Sequence, residues 1–259
     1  MKIISLCGAW CAVCHTPSGE TLAMTGSVPG SAIADHIRAG HLPQDIFYRD
    51  NAEAVRRFEC CDYTYRRSVT LDALAEVAVL SFERLDTYAD VLVNGQTVYH
   101  SENGNIRHDI PLAAGILRVG ENTVEVRLAS PIRAAAGRPA REGAFTTERL
   151  YTRRMQCTYG WDWVGRFVTV GIGDCTLTLS ERCEAVCEHV YITTPCIDPD
   201  SATVRIDTTL REGYRPQCLT HTVLSPEGEA VASHRRFCRE DFIRTELDVP
   251  APRLWYPRG

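Results

Sequence analysis

The Asn94-Gly95 step, set between Val91-Leu92-Val93 and Thr97-Val98-Tyr99, constrains this chain more than any other feature. Both residues tolerate positive φ, which a two-residue hairpin turn requires, so the flanking runs are predicted to be paired strands. The same period-two alternation recurs at Val77, Val79 and Leu80 to Phe82, at Val124, Val126 and Leu128, at Leu177 and Leu179, and at Val204, Ile206, Thr208 and Leu210. Short alternating runs bounded by Gly-Glu-Asn and Pro-Glu-Gly turns are strands, and the fold class is all-β, mostly antiparallel. One short helix is expected from Ser31 to Ala39. Ser31 can cap it, Ile33 and Ile37 share a face, and Gly40 can end it. Residues 131–147 have no sustained period and read as a long loop.

At 259 residues the chain can bury a substantial core, as one large domain or two ordinary ones. Lysine and arginine total 28 against 33 aspartate and glutamate, a net charge of -5. That balance argues against a nucleic-acid or anionic-membrane partner, because both need a basic surface. No apolar run approaches the ~18 residues of a membrane span, and the N-terminus lacks the apolar stretch of an export signal. A cytoplasmic location is expected, with the 12 cysteines as reduced thiols.

After Leu179 the pattern restarts around Val186 to Thr193 and resumes as strands near 202–210, 217–224, 230–237 and 244–249. The expected domains are 1–181 and 182–259. The second is shorter than the ~100 residues of an immunoglobulin-like sandwich and is read as C-terminally incomplete.

Cys11-Ala-Val-Cys14-His15 has the spacing of c-type haem attachment, and Cys7, Cys11, Cys14 and His15 could offer four soft donors to zinc. The first use needs an export route, and the second wants a distant partner pair that the chain lacks. No metal and no cofactor is expected. The remaining cysteines, Cys157 among them, read as core or strand residues that pack as small hydrophobes. No Gly-x-Ser-x-Gly elbow, Walker loop, Rossmann fingerprint or HExxH pattern is present.

Tyr159-Gly160-Trp161-Asp162-Trp163 is the candidate site, with Arg153, Arg154 and Gln156 before it and Gly165-Arg166 after. An indole face can stack on the C–H surface of a pyranose while a carboxylate accepts hydroxyl hydrogen bonds. The same residues also fit two core tryptophans with Asp162 as a turn acceptor. On residue chemistry alone both readings stand.

Taken in order, these segments resemble the N-terminal part of family 2 glycoside hydrolases, most of all the β-mannosidase branch. The likeness is carried by Leu6-x-Gly8-x-Trp10, Val28-Pro29-Gly30-Ser31, Tyr48-Arg49-Asp50-Asn51, Asp62-x-x-Tyr65-Arg66-Arg67, and Phe82-x-x-Leu85-Asp86-Thr87-x-Ala89-x-Val91. It continues through Asn94-Gly95, Asn103, Gly120-Glu121-Asn122, Gly160-Trp161-Asp162-Trp163, Thr169-x-Gly171-Ile172 and Leu254-Trp255-Tyr256-Pro257-Arg258-Gly259. Tyr63, Ala52 and Gly173-Asp174-Cys175 depart from the family pattern, and these changes are expected to touch packing near the domain joints.

The resemblance implies a jelly-roll, galactose-binding-like β-sandwich followed by an immunoglobulin-like β-sandwich, normally leading into a catalytic (β/α)8 barrel. It implies retaining exo-hydrolysis of terminal β-linked mannose from an oligosaccharide, by two glutamates about 5–5.5 Å apart that belong to the barrel. The chain has no Asn-Glu dipeptide to stand for the acid/base signature, so no catalytic residue is expected in it, and the missing barrel would be its partner. Trp161 is implied as a wall of the sugar pocket and Asp162 as an acceptor for sugar hydroxyls. A stand-alone carbohydrate-binding module, a purely structural fragment, and a β-galactosidase or β-glucuronidase of the same family are the other readings.

Overall fold

Asn94 and Gly95 both lie at positive φ, 51° and 81°, and join the strands Tyr88–Val93 and Gln96–Ser101 in the expected hairpin. Asn94 also works beyond its own turn. Its Nδ2 donates to the Ile116 carbonyl and to Asn122 Oδ1, each at 2.8 Å, and its Oδ1 accepts from the Thr123 amide at 2.9 Å. Asn122 is fully buried and satisfies Arg118 and Gly120 in turn, which gives Gly120-Glu121-Asn122 its structural meaning.

The computed structural model describes residues 1–143, 146–181, 187–210 and 217–257. Of the features read above, Ala144 and Phe145 in the long loop, Cys183, Val186 and the closing Arg258-Gly259 lie outside the described residues, as does residue 182 at the expected boundary. The chain resolves into two units, Met1–Ser180 and Glu181–Gly259.

In the first unit a six-stranded antiparallel sheet runs in the order Thr21–Val28, Gly8–His15, Asp62–Leu71, Gly120–Ala129, Tyr88–Val93, Gln96–Ser101. A four-stranded antiparallel sheet is ordered Lys2–Ser5, Cys175–Ser180, Val77–Phe82, His108–Pro111. Alternate residues of both sheets, such as Trp10, Ala12 and Cys14 from one and Leu80, Phe82 and Leu177 from the other, merge into a single apolar cluster. This is the jelly-roll sandwich. Gly26 leaves room in it for Tyr65, since a Cβ there would stand 2.4 Å from the ring.

The short helix spans Ala32–Arg38, with the Ser31 hydroxyl accepting from the Ala34 amide as its cap. Two further turns of helix, Asn51–Val55 continuing as a 3₁₀ turn Arg56–Phe58, were not foreseen. Pro131–Ala134 is likewise a helical turn inside the expected loop. Ser130 caps it and Pro131 pre-sets its first φ. Tyr63 packs in the core of the first unit, 3% exposed, and shares a 3.0 Å hydrogen bond with buried His36 Nε2. Strand geometry sends Cys11 outward and Cys14 inward, so the Cys-x-x-Cys-His run does not converge. Cys157 is neither core nor strand, but exposed on a 3₁₀ turn.

The second unit pairs Cys187–Ile197, Ser201–Leu210 and Phe242–Pro250 in one antiparallel sheet and Gln217–Leu224 with Ala230–Cys238 in another. Among the described residues this makes five strands, against seven in an immunoglobulin constant-type sandwich. Leu210, Cys238 and Ile243 form its buried cluster. His221 links the two sheets, hydrogen-bonding Thr208 Oγ1 and Thr245 Oγ1 at 2.9 Å each.

Candidate functional site: an exposed Trp-Asp turn on a braced stem

The segment leading to Trp161 is tied to the first unit at Arg153 and hydrogen-bonded within itself. Gly104 donates to the Arg153 carbonyl at 2.8 Å, and the Gln156 amide closes on the carbonyls of Thr152 and Arg154 at 3.1 Å. Tyr159 is buried, and its hydroxyl meets Thr152 Oγ1 at 2.6 Å. A 3₁₀ turn, Gln156–Tyr159, ends at Gly160, whose φ of 104° suits glycine. The chain then reverses. Trp161 and Val164 exchange backbone hydrogen bonds of 3.0 and 3.3 Å, leaving Asp162 and Trp163 at the tip.

The tip is open to solvent. Trp163 is 80% exposed, Trp161 is 39% exposed and Asp162 is exposed, so the reading of two core tryptophans does not hold. Among the described residues the Asp162 carboxylate has no hydrogen-bond partner, which also removes the turn-acceptor role. One face of the Trp161 ring is covered by the Arg149 guanidinium at 4.7 Å. The turn therefore exposes, on consecutive residues, an indole and an unengaged carboxylate, group types that can hold a pyranose by its C–H face and its hydroxyls.

Behind the tip lies a charged brace. Arg166 Nε sits 2.9 and 3.0 Å from the two Glu59 oxygens and its Nη2 2.9 Å from Oε2, while Glu148 approaches at 3.8 Å. Burial opposes the charge on Arg166, but Glu59 and then Glu148 outweigh it and hold the guanidinium above its ordinary value. Glu59 stands 107 residues from Arg166, and no local pattern announces it.

A cavity of about 620 Å³ lies beside the stem, lined by Pro29 to Ser31, Glu83, Arg84, Asp86, Met155, Thr158 and residues 169–174. Trp161 and Asp162 are adjacent to each other but do not line it. Among the described residues no group of three or more His, Cys, Asp or Glu side chains could hold a metal ion, and no helix is long and apolar enough to cross a membrane.

Residues 13–174 match the family described as glycosyl hydrolase 2 galactose-binding domain-like, well over half of the chain. This chain belongs to the glycosyl hydrolase 2 family. The glycosyl hydrolase 2 chain is 28% identical over 196 residues to a probable β-mannosidase of Caenorhabditis elegans, covering 69% of the chain and 21% of that relative. It is 26% identical over 251 residues to β-mannosidase B of Aspergillus terreus, covering 93% of the chain and 29% of the relative. The crystal structure of a β-D-mannosidase from Dictyoglomus thermophilum superposes with a TM-score of 0.83 at 25% identity, covering all of the chain and 32% of that protein. A β-glucuronidase from Bifidobacterium dentium, at 18% identity and a TM-score of 0.66, shares the fold. The chain thus spans between a fifth and a third of the relatives named β-mannosidase.

Proposed function

We propose that this chain is the N-terminal part of a retaining exo-β-mannosidase and contributes one wall of the pocket that receives a terminal β-linked mannose. The observation that carries the reading is the exposed turn at Trp161-Asp162, where a half-open indole and an unengaged carboxylate stand on consecutive residues above a braced stem. The relatives named β-mannosidase support the choice of sugar. In this reading Trp161 packs on the pyranose ring and Asp162 accepts sugar hydroxyls. The acid/base and nucleophilic glutamates come from a (β/α)8 barrel, and no cofactor takes part.

The test takes the native product from its source cell, with its intact mass, and assays it on aryl β-mannoside, β-galactoside and β-glucuronide. The mannoside is expected to be hydrolysed, and Asp162→Ala to lower kcat/KM about 10- to 100-fold, the worth of one hydrogen bond to a charged acceptor. The 259-residue chain alone is expected to leave the mannoside intact. Hydrolysis by that chain, or a native enzyme that prefers another glycoside, overturns the reading.

A further inference from the structure

We propose that the Glu59–Arg166 ion pair is the positioning element of the Trp161-Asp162 turn, setting the direction in which indole and carboxylate face a ligand. The inference rests on the sugar-facing reading above and extends it to residues that touch no sugar. The tip residues cannot set their own direction, because Asp162 has no partner among the described residues and Trp163 stands in solvent. Direction must come from the stem.

Arg166 lies two residues beyond Val164, which closes the turn with Trp161. Its guanidinium forks onto Glu59 through three contacts of 2.9 to 3.0 Å, and the two side chains are 17% and 7% exposed. A fork fixes the plane of the group as well as its distance, which a single point charge cannot do. Glu59 is itself held, since its carbonyl accepts the Ser130 hydroxyl at 2.6 Å and the central strand Asp62–Leu71 begins three residues later. The 3₁₀ turn Glu148–Leu150 completes the brace. Glu148 leans toward Arg166, and the next residue, Arg149, covers one face of Trp161. With that face covered, a pyranose would stack on the opposite indole face.

The test is NMR of the indole N–H groups of the 259-residue chain, whose four tryptophans give four resonances assignable by single Trp→Phe changes. Glu59→Gln keeps the shape and removes the charge, while Arg166→Lys keeps the charge and removes the fork. In both variants the Trp161 and Trp163 signals are expected to move and broaden, and the Trp161 indole proton to exchange about tenfold faster. The Trp10 indole, buried and bonded to the Leu6 carbonyl at 2.8 Å, should stay in place. Unchanged Trp161 and Trp163 signals in both variants overturn the proposal. So does displacement of Trp10 along with them, since the pair would then hold the sandwich and not the turn.

Titration with methyl β-D-mannoside separates this inference from the reading it rests on. A Trp161 response in the parent chain that weakens in both variants supports both. Loosening of Trp161 in the variants, with no mannoside response in any form of this chain, supports the positioning role, and the sugar reading then stands or falls with the Asp162→Ala assay of the native enzyme.

Discussion

Arg154 Nη2 lies 3.0 Å from Asp86 Oδ2, joining residues 68 apart, and the arginine side chain is sealed completely from solvent. The same nitrogen donates to the Thr169 carbonyl at 2.6 Å, while Nε and Nη1 have no hydrogen-bond partner among the described residues and the guanidinium lies 5.6 Å from the Tyr159 ring centre. A buried cation held by one carboxylate is asymmetric in its energetics. Removing the carboxylate strands the charge, whereas removing the cation leaves an Asp86 that borders an open cavity.

Asp86→Ala is therefore expected to cost about 3–5 kcal/mol, and Arg154→Met, which keeps the volume and loses the charge, clearly less. Urea unfolding of the two variants decides it. Equal losses would mean that packing and not charge dominates at this position.

Gly26→Ala should destabilise the first unit by about 1–3 kcal/mol, because the added methyl overlaps the Tyr65 ring. Tyr65 cannot simply swing aside, since its hydroxyl donates to buried Asp35 at 2.6 Å. Combining Gly26→Ala with Tyr65→Val should recover part of the loss if the clash is the cause. Thermal melts showing strictly additive losses would contradict that origin.

Replacing Asn94 by alanine removes three side-chain hydrogen bonds and puts a less tolerant residue at positive φ. The expected loss is about 2–4 kcal/mol, more than a hairpin turn alone would supply. Asn94→Gly isolates the two contributions, because it restores the backbone freedom without the amide. A glycine variant as stable as the parent would show that the links to Ile116, Asn122 and Thr123 contribute little.

His221 makes the second unit sensitive to acid. Burial first, and then His234, hold its imidazole below the ordinary histidine value. The unfolded chain therefore binds the proton more readily, and the stability that neutral His221 contributes is present above about pH 6.5 and is lost as pH falls through the lower folded value. Denaturant midpoints for the second unit should drop across that window, and His221→Gln should flatten the drop. A midpoint independent of pH in the parent would refute it.

Alternation and turn chemistry made the strands, one hairpin and the short helix legible, because Val93-Asn94-Gly95-Gln96 and Ser31 carry their geometry in adjacent residues, while the sandwich architecture came from the family resemblance. The helical turn at Pro131–Ala134 was legible in principle through Ser130-Pro131, a cap followed by a residue pre-set for helix. The Trp161-Asp162 turn could be named from chemistry but not oriented. Whether two tryptophans are buried depends on what packs above them, which local pattern does not encode. Glu59 was invisible for a related reason: its partner arrives 107 residues later, and only the closed sandwich brings the two together.

Lys2–Ser5, the first strand of the first unit, finds its partner in Cys175–Ser180, with Lys2 opposite Leu179. At about 5–20 residues per second, its edge waits roughly ten to thirty seconds of synthesis before that partner exists. The first unit cannot close its smaller sheet until nearly all of itself has been made, so its assembly is governed by its most distant pairing. A growing chain of this topology carries the open edge of Lys2–Ser5 through most of the synthesis of its first unit, and for that interval the edge is a template on which another chain could pair.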